Sequence, residues 1–189
     1  MNRGYFQKFQ IKDVVFLAIM SAVALATCAV MPLVISLQPL IFGISQLVTA
    51  LQIGVFFAIG LYKVRKPGSL LIMALMMGLI QLMMSPPMFL SSVLNGVLIE
   101  LIVLLLFGGY EKDSAVFCAA MLHTPLSLPF NYLYNRLIKG ADSPLAAVAD
   151  RAPLAAVGMT LAVVAVSALG ALIGIKIARE LKKSGVLKK

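Results

Sequence analysis

This sequence predicts an all-α membrane protein: a single six-helix transmembrane bundle spanning residues 1–189, with both termini cytoplasmic. Three observations lead there. Hydrophobic residues make up 61% of the chain and charged ones only 12%, where soluble domains carry about 25% charged residues. A surface in water could not be covered with so few solvating groups, which excludes a soluble enzyme, a disordered chain and a secreted disulfide scaffold. The apolar residues also gather into six long runs, at about 13–31, 40–62, 69–84, 89–107, 114–134 and 154–178. A hydrocarbon core of about 30 Å takes roughly 20 helical residues. Finally, Lys and Arg alternate in abundance from one inter-run segment to the next.

Each run has an identifiable stop. The first ends at Pro32, and the second follows Pro39 and stops at the basic turn 63–68. The third is short for a bilayer unless residues 84–89 help complete it, and Ser85-Pro86-Pro87 closes it. Gly108-Gly109 ends the fourth. The fifth contains Pro125 and Pro129, each of which frees a carbonyl one turn earlier and bends the helix. The sixth runs into a basic C-terminus. Within lipid, backbone groups must be satisfied inside the segment, so runs of this length are helices, and the alternation of membrane strands is absent. A signal peptide is the competing reading of residues 1–31, but its apolar region is too long for one. Residues 135–153 form an outer connection longer than most loops in compact domains, either a lid or a plain solvated loop.

Thirteen basic residues fall on one side: Arg3, Lys8, Lys12, Lys63, Arg65, Lys66, Lys112, Lys176, Arg179, Lys182, Lys183, Lys188 and Lys189. The other side holds Arg136, Lys139 and Arg151. Such a bias marks the cytoplasmic face, and it accounts for the net charge of +9 without nucleic acid. Cys28 and Cys118 lie inside apolar runs, and His123 is the one histidine. Neither a disulfide framework nor a metal site is expected, and no cofactor is implied.

Two small-residue stripes stand out. Ala18, Ala22 and Ala26 recur every fourth residue in the first run, with Ser21 and Ala29 beside them; such a column lets a neighbouring backbone approach closely. Gly158, Ala162, Gly170 and Gly174 form a related column in the last run. Internal packing explains either stripe alone, while two on terminal helices leave one available for an external partner.

Polar side chains inside apolar runs are the candidates for function. Glu100 is the one acid deep in a run, about 16 Å below the outer end of its helix at 1.5 Å per residue. Intramembrane ionisable groups are costly and mark functional sites, so Glu100 is expected at the floor of a pocket, with ligand contact, a protonated carboxyl hydrogen-bonded within the bundle, or structural pairing with His123 as the readings. Ser92 and Gly96 stack above it, Asn95 flanks it, and Gly96 leaves room for a ligand. His123, Ser127, Asn131 and Tyr134 share a face of the fifth run; His123 is either packed or a ligand contact, and Tyr132 suits an interfacial belt. Ser45, Gln46, Thr49 and Gln52 from the second run and Gln81 from the third complete a polar set in the outer half. Together they suggest a pocket opening outward for a small ligand.

The early Ala18-Ile19-Met20-Ser21-Ala22 segment, in a six-helix chain of this size, resembles the substrate-binding S components of energy-coupling factor (ECF) transporters. Arg65-Lys66-Pro67-Gly68 and Asn95-Gly96-Val97-Leu98-Ile99-Glu100 look more narrowly like the YkoE branch, associated with thiamine or its hydroxymethylpyrimidine precursor. The resemblance implies a cell-membrane, multi-pass binder that captures a vitamin or precursor from outside. It further implies that the alanines pack against a transmembrane coupling subunit, and that two cytoplasmic ATPases drive release. Glu100 would then recognise a ring nitrogen or amine, Asn95, Asn131 and Gln46 would read ligand edges, and Tyr134 would stack. The chain has no Gly-rich phosphate loop of its own, and no HExxH pair or nucleophile elbow that would make it an enzyme. An autonomous proton-coupled transporter using Glu100, or a structural membrane subunit, are the alternatives.

Overall fold

The computed structural model describes residues 8–28, 30–140 and 143–187. Arg3, Ala29, Asp142, Lys188 and Lys189 lie outside them. Every regular element among the described residues is helical: α1 (Ile11–Thr27), α2 (Met31–Ile35), α3 (Ile44–Lys63), α4 (Ser69–Leu82), α5 (Pro86–Phe107), α6 (Asp113–Ile138), α7 (Pro144–Arg151) and α8 (Pro153–Lys183). The six apolar runs correspond to α1, α3, α4, α5, α6 and α8, and two short helices join them.

Local chemistry sets the boundaries. α3 begins at residue 44, not 40, because Gly43 takes a left-handed φ of 74° at its start, a conformation glycine adopts at little cost. Residues 84–89 do not extend α4. That helix ends at Leu82, and Pro86 opens α5, where the missing N–H of proline falls among groups a helix leaves unpaired anyway. Gly108 closes α5 in the left-handed conformation. α6 continues through both Pro125 and Pro129. The Met121 carbonyl, one turn before Pro125, accepts a hydrogen bond from Ser167 Oγ of α8 at 2.7 Å, so a neighbouring helix satisfies the group that proline orphans.

Length and apolarity qualify three helices, not six, to cross a bilayer on their own: α3, α5 and α8. α1 has 17 residues and α4 only 14, about 26 and 21 Å at 1.5 Å per residue. Prolines and polar residues dilute α6.

α3 runs through the middle of the bundle, packing on α8, α6, α1 and α4, while α4 pairs with α5. The α3–α8 contact is backbone against backbone: a Cβ on Gly170 would lie 2.5 Å from Leu51 O, and one on Gly174 2.4 Å from Val55 O. The Gly170 and Gly174 half of the last helix's small-residue stripe is therefore internal, while Gly158 is exposed with nothing within 4 Å of its added Cβ. On α1, Leu17, Ser21 and Ala24 face inward, and Ser21 Oγ lies 2.9 Å from Leu17 O and 3.1 Å from Met73 O. Ala22 and Ala26 are exposed and Ala18 is half-buried. The main core joins Leu17, Phe57, Leu61, Leu70, Met73, Ile99 and Tyr110, and a smaller one around Phe42, Leu128 and Val163 lies on the other side. Leu98, Leu101 and Leu105 of α5 and Leu161, Leu169 and Leu172 of α8 remain exposed. An apolar exterior of that extent is suited to lipid rather than water.

The two ends of the bundle differ in chemistry. At one end Lys66 pairs with Asp13 at 2.6 Å, Arg65 pairs with Asp113, and Arg179 reaches Asp113 at 2.6 and 3.1 Å. Lys63 lies 4.7 Å from the Phe16 ring and Arg65 4.1 Å from that of Tyr62. Partial burial works against ionisation of Asp113, but Arg179 and Arg65 outweigh it and hold the carboxyl below its ordinary range. The opposite end carries a cavity.

Candidate functional site

A cavity of about 650 Å³ opens at the end formed by α2, the α4–α5 turn and α7, within the 300–1,000 Å³ typical of small-molecule sites. Four elements supply its deeper wall. α3 contributes Ser45, Gln46, Thr49 and Ile53; α4 contributes Met77 and Gln81; α5 contributes Ser92 and Asn95; and α6 contributes His123, Thr124 and Ser127. Asn131, Tyr134 and Asn135 continue the α6 face toward the rim. The polar residues sit one or two turns apart on helices whose other faces pack into the core or against lipid, so bundle assembly turns their side chains toward one space.

Much of the wall is already hydrogen-bonded. Gln38 Nε2 donates to Ser45 Oγ. That hydroxyl donates to Gln46 Oε1 at 2.8 Å, and Thr49 Oγ1 to Ser45 O at 2.9 Å. Ser92 Oγ donates to Ala74 O at 3.0 Å. At the floor the pattern changes. Both amide atoms of Asn95, both ring nitrogens of His123 and the hydroxyl of Thr124 are buried without a hydrogen-bond partner among the described residues. Asn95 is 0% exposed and His123 5%, and the His123 ring rests 4.5 Å from that of Phe57, tilted by 56°. Buried polar groups are nearly always satisfied, and each orphan costs about 1–3 kcal/mol. A cluster of five such atoms lining a cavity is the arrangement a polar ligand completes.

Glu100 is not part of this cavity. Its Oε1 accepts the Gly68 backbone N–H at 2.6 Å and its Oε2 the Tyr110 hydroxyl at 2.9 Å, with the side chain 6% exposed. Residues five apart on a helix point about 140° away from each other, so Asn95 and Glu100 cannot share a pocket wall. Gly68 has a φ of 92° and precedes α4, so the carboxylate caps the positive end of that helix. Nor does Gly96 hold space for a ligand: its added Cβ would lie 2.6 Å from Ala74 Cβ, which makes it a point of close approach between α4 and α5. Glu100 and His123 are not paired.

Of the other expected residues, Asn95, His123, Asn131, Tyr134, Gln46 and Gln81 all line the cavity. Sequence reasoning missed Thr124, Gln38 and Lys139. The spacing rule that picked out His123 and Ser127 passes over Thr124, which an i, i+3 partner to Ser127 would have flagged. The connection 135–153 is neither an open loop nor unstructured throughout: it contains α7. Ser143 Oγ donates to Asn135 Oδ1 at 2.9 Å, Tyr132 OH donates to Asp150 Oδ1 at 2.7 Å, and Arg136 pairs with Asp150. Ser143, Pro144 and Leu145 thereby form one edge of the mouth.

The profile of a family described as hypothetical bacterial integral membrane protein, Trep_Strep, matches residues 11–183. The chain belongs to the Trep_Strep family. It is accordingly a multi-pass bacterial membrane protein, and the apolar exterior of its long helices is the lipid-facing surface such a protein needs. The match takes in every helix of the bundle, from the first residue of α1 to the last of α8, so the cavity lies wholly inside the family's shared region. No curated protein and no solved structure matches this Trep_Strep chain.

Proposed function

We propose that this protein is the substrate-binding subunit of an ECF-type importer, taking a vitamin or vitamin precursor from outside the cell. In this reading the six long helices cross the membrane, both termini are cytoplasmic, and the cavity faces outward. The positive-inside bias of the sequence supports that orientation: the Arg65, Lys66 and Arg179 cluster lies at the end opposite the cavity. The observation that carries the reading is the floor of the cavity, where Asn95, His123 and Thr124 present five buried, unpartnered polar atoms. A protein of structural purpose alone gains nothing from bearing that cost.

The second support is α1. Its Ala22 and Ala26 are exposed on a face that also carries Val15 and Ile19, while Gly170 and Gly174 of α8 are used up against α3. The exposed alanine column suits close approach by a transmembrane coupling subunit, with two cytoplasmic ATPases completing the module. The protein performs no chemistry in this scheme. It binds and presents.

Two measurements test the reading. Protein purified from cells and denatured in organic solvent should release one small molecule at near-equimolar yield, identified by mass spectrometry. In cells holding a coupling module, Ala22→Trp should abolish copurification with the coupling subunit while leaving ligand content unchanged. Uptake by the purified chain alone in liposomes under a pH gradient would instead establish an autonomous transporter and overturn the proposal.

A further inference from the structure

Resting on the capture reading, the geometry points to an uncharged, planar ligand carrying a hydrogen-bond donor and acceptor side by side, such as an aminopyrimidine, a lactam or a carboxamide, and against an organic cation. Asn95 decides the edge. Its amide offers one acceptor oxygen and one NH₂ donor, both unpartnered, and a free amide pairs in a bidentate way with an adjacent donor and acceptor on a ring. The same geometry lets Asn or Gln read adenine. His123 adds, as neutral imidazole, one donor and one acceptor, and Thr124 a hydroxyl. Apolar Ile53 and Met77 line the cavity beside them, surfaces against which a flat ring packs.

Charge excludes the alternative. The one acid deep in the membrane helices, Glu100, is turned away and held by Gly68 and Tyr110. No Asp or Glu lines the cavity among the described residues, and the charged group that does is Lys139, at the rim. A fixed cation would be desolvated here with no counter-charge among the described residues, at a cost of several kcal/mol. Within the ECF reading, this favours an uncharged pyrimidine over thiamine, whose thiazolium is permanently positive.

The test compares hydroxymethylpyrimidine, cytosine and nicotinamide with thiamine, by isothermal titration on the detergent-purified chain. Thiamine carries the same aminopyrimidine edge plus a second ring with the fixed charge, so its neutral thiophene isostere, titrated alongside, separates the effect of charge from that of bulk. An uncharged probe should bind at least about tenfold more tightly than thiamine, and Asn95→Leu should weaken it by a further tenfold or more. Because the Asn95 amide bonds to nothing among the described residues, Asn95→Leu should leave the melting temperature of the ligand-free protein equal or higher. Thiamine binding as tightly as the uncharged probes, or affinity unmoved by Asn95→Leu, overturns the inference and leaves capture standing. If no probe binds, the molecule released from purified protein decides: an uncharged ring or amide with that edge supports the inference, and any other molecule overturns it. If nothing small is released either, the capture reading falls as well.

Discussion

Replacing Glu100 by Gln separates a recognition role from a structural one. The carboxylate accepts two hydrogen bonds, from Gly68 N–H at 2.6 Å and Tyr110 OH at 2.9 Å. Bonds to a charged group contribute about 1.5–3 kcal/mol each and neutral ones about 0.5–1.5. Glutamine keeps the shape but not the charge: its carbonyl oxygen can still accept the Gly68 N–H, while its NH₂ faces Tyr110, whose hydroxyl must turn from donating to accepting, so the loss is at least about 2 kcal/mol. For a chain of this length that lowers the melting temperature by roughly 4–8 °C. Glu100→Leu, which orphans both donors, should cost about 2–6 kcal/mol. Unfolding can be followed with a thiol-reactive dye in a Cys118→Ser background, since Cys28 is buried while Cys118 is half-buried and would react with the folded protein. Ligand affinity of Glu100→Gln should stay within about twofold of the parent, because the side chain lies outside the cavity. A tenfold loss of affinity with an unchanged melting temperature would refute this argument and return Glu100 to the binding site.

Gly174→Ala should destabilise by about 1–3 kcal/mol through overpacking, since its Cβ would meet Val55 O at 2.4 Å. Gly158→Ala, where nothing lies within 4 Å, should be neutral or slightly stabilising in the same melting assay. Asp113 has a folded pKa below its unfolded value, so its contribution is full above the unfolded pKa of about 3.9 and is lost as pH falls through the folded one. Melting temperature measured from pH 7 downward should therefore drop more steeply below about pH 4 in the parent than in Asp113→Asn. Asp150→Asn, which weakens the exposed contacts to Arg136 and Tyr132, should shift global melting little but speed proteolysis between α6 and α8, monitored by mass spectrometry of the fragments.

Much of the architecture was legible in the sequence because hydrophobicity along a single helix is a local property. Runs ended by Pro32, Gly108 and the Lys63–Gly68 turn could be read without knowing any neighbour, and each became a helix within a few residues of its expected bounds. Polar residues interrupting those runs, such as Gln46, Asn95, His123 and Asn131, were likewise conspicuous, and the structure turns them into one cavity. Facing was not legible. Which of Asn95 and Glu100 meets the cavity depends on how α5 is rotated against α4, and Gly96 seats α5 on Ala74 in the rotation that gives the cavity to Asn95. The Glu100 partners, Gly68 and Tyr110, are 32 and 10 residues away in sequence, and only packing brings them together.

The sequence by itself determined that the chain is helical, belongs in lipid and carries its positive charge preferentially between alternate runs, since these follow from the transfer energies of individual side chains. Tertiary structure decided what these groups do: a carboxylate became a helix cap, Gly170 and Gly174 became an interhelical seam, Ala22 and Ala26 stayed exposed, and the Asn95 amide and the His123 imidazole were left unpartnered among the described residues. Those outcomes depend on which faces meet, and a helix's rotation about its own axis is fixed by its neighbours rather than by its own residues.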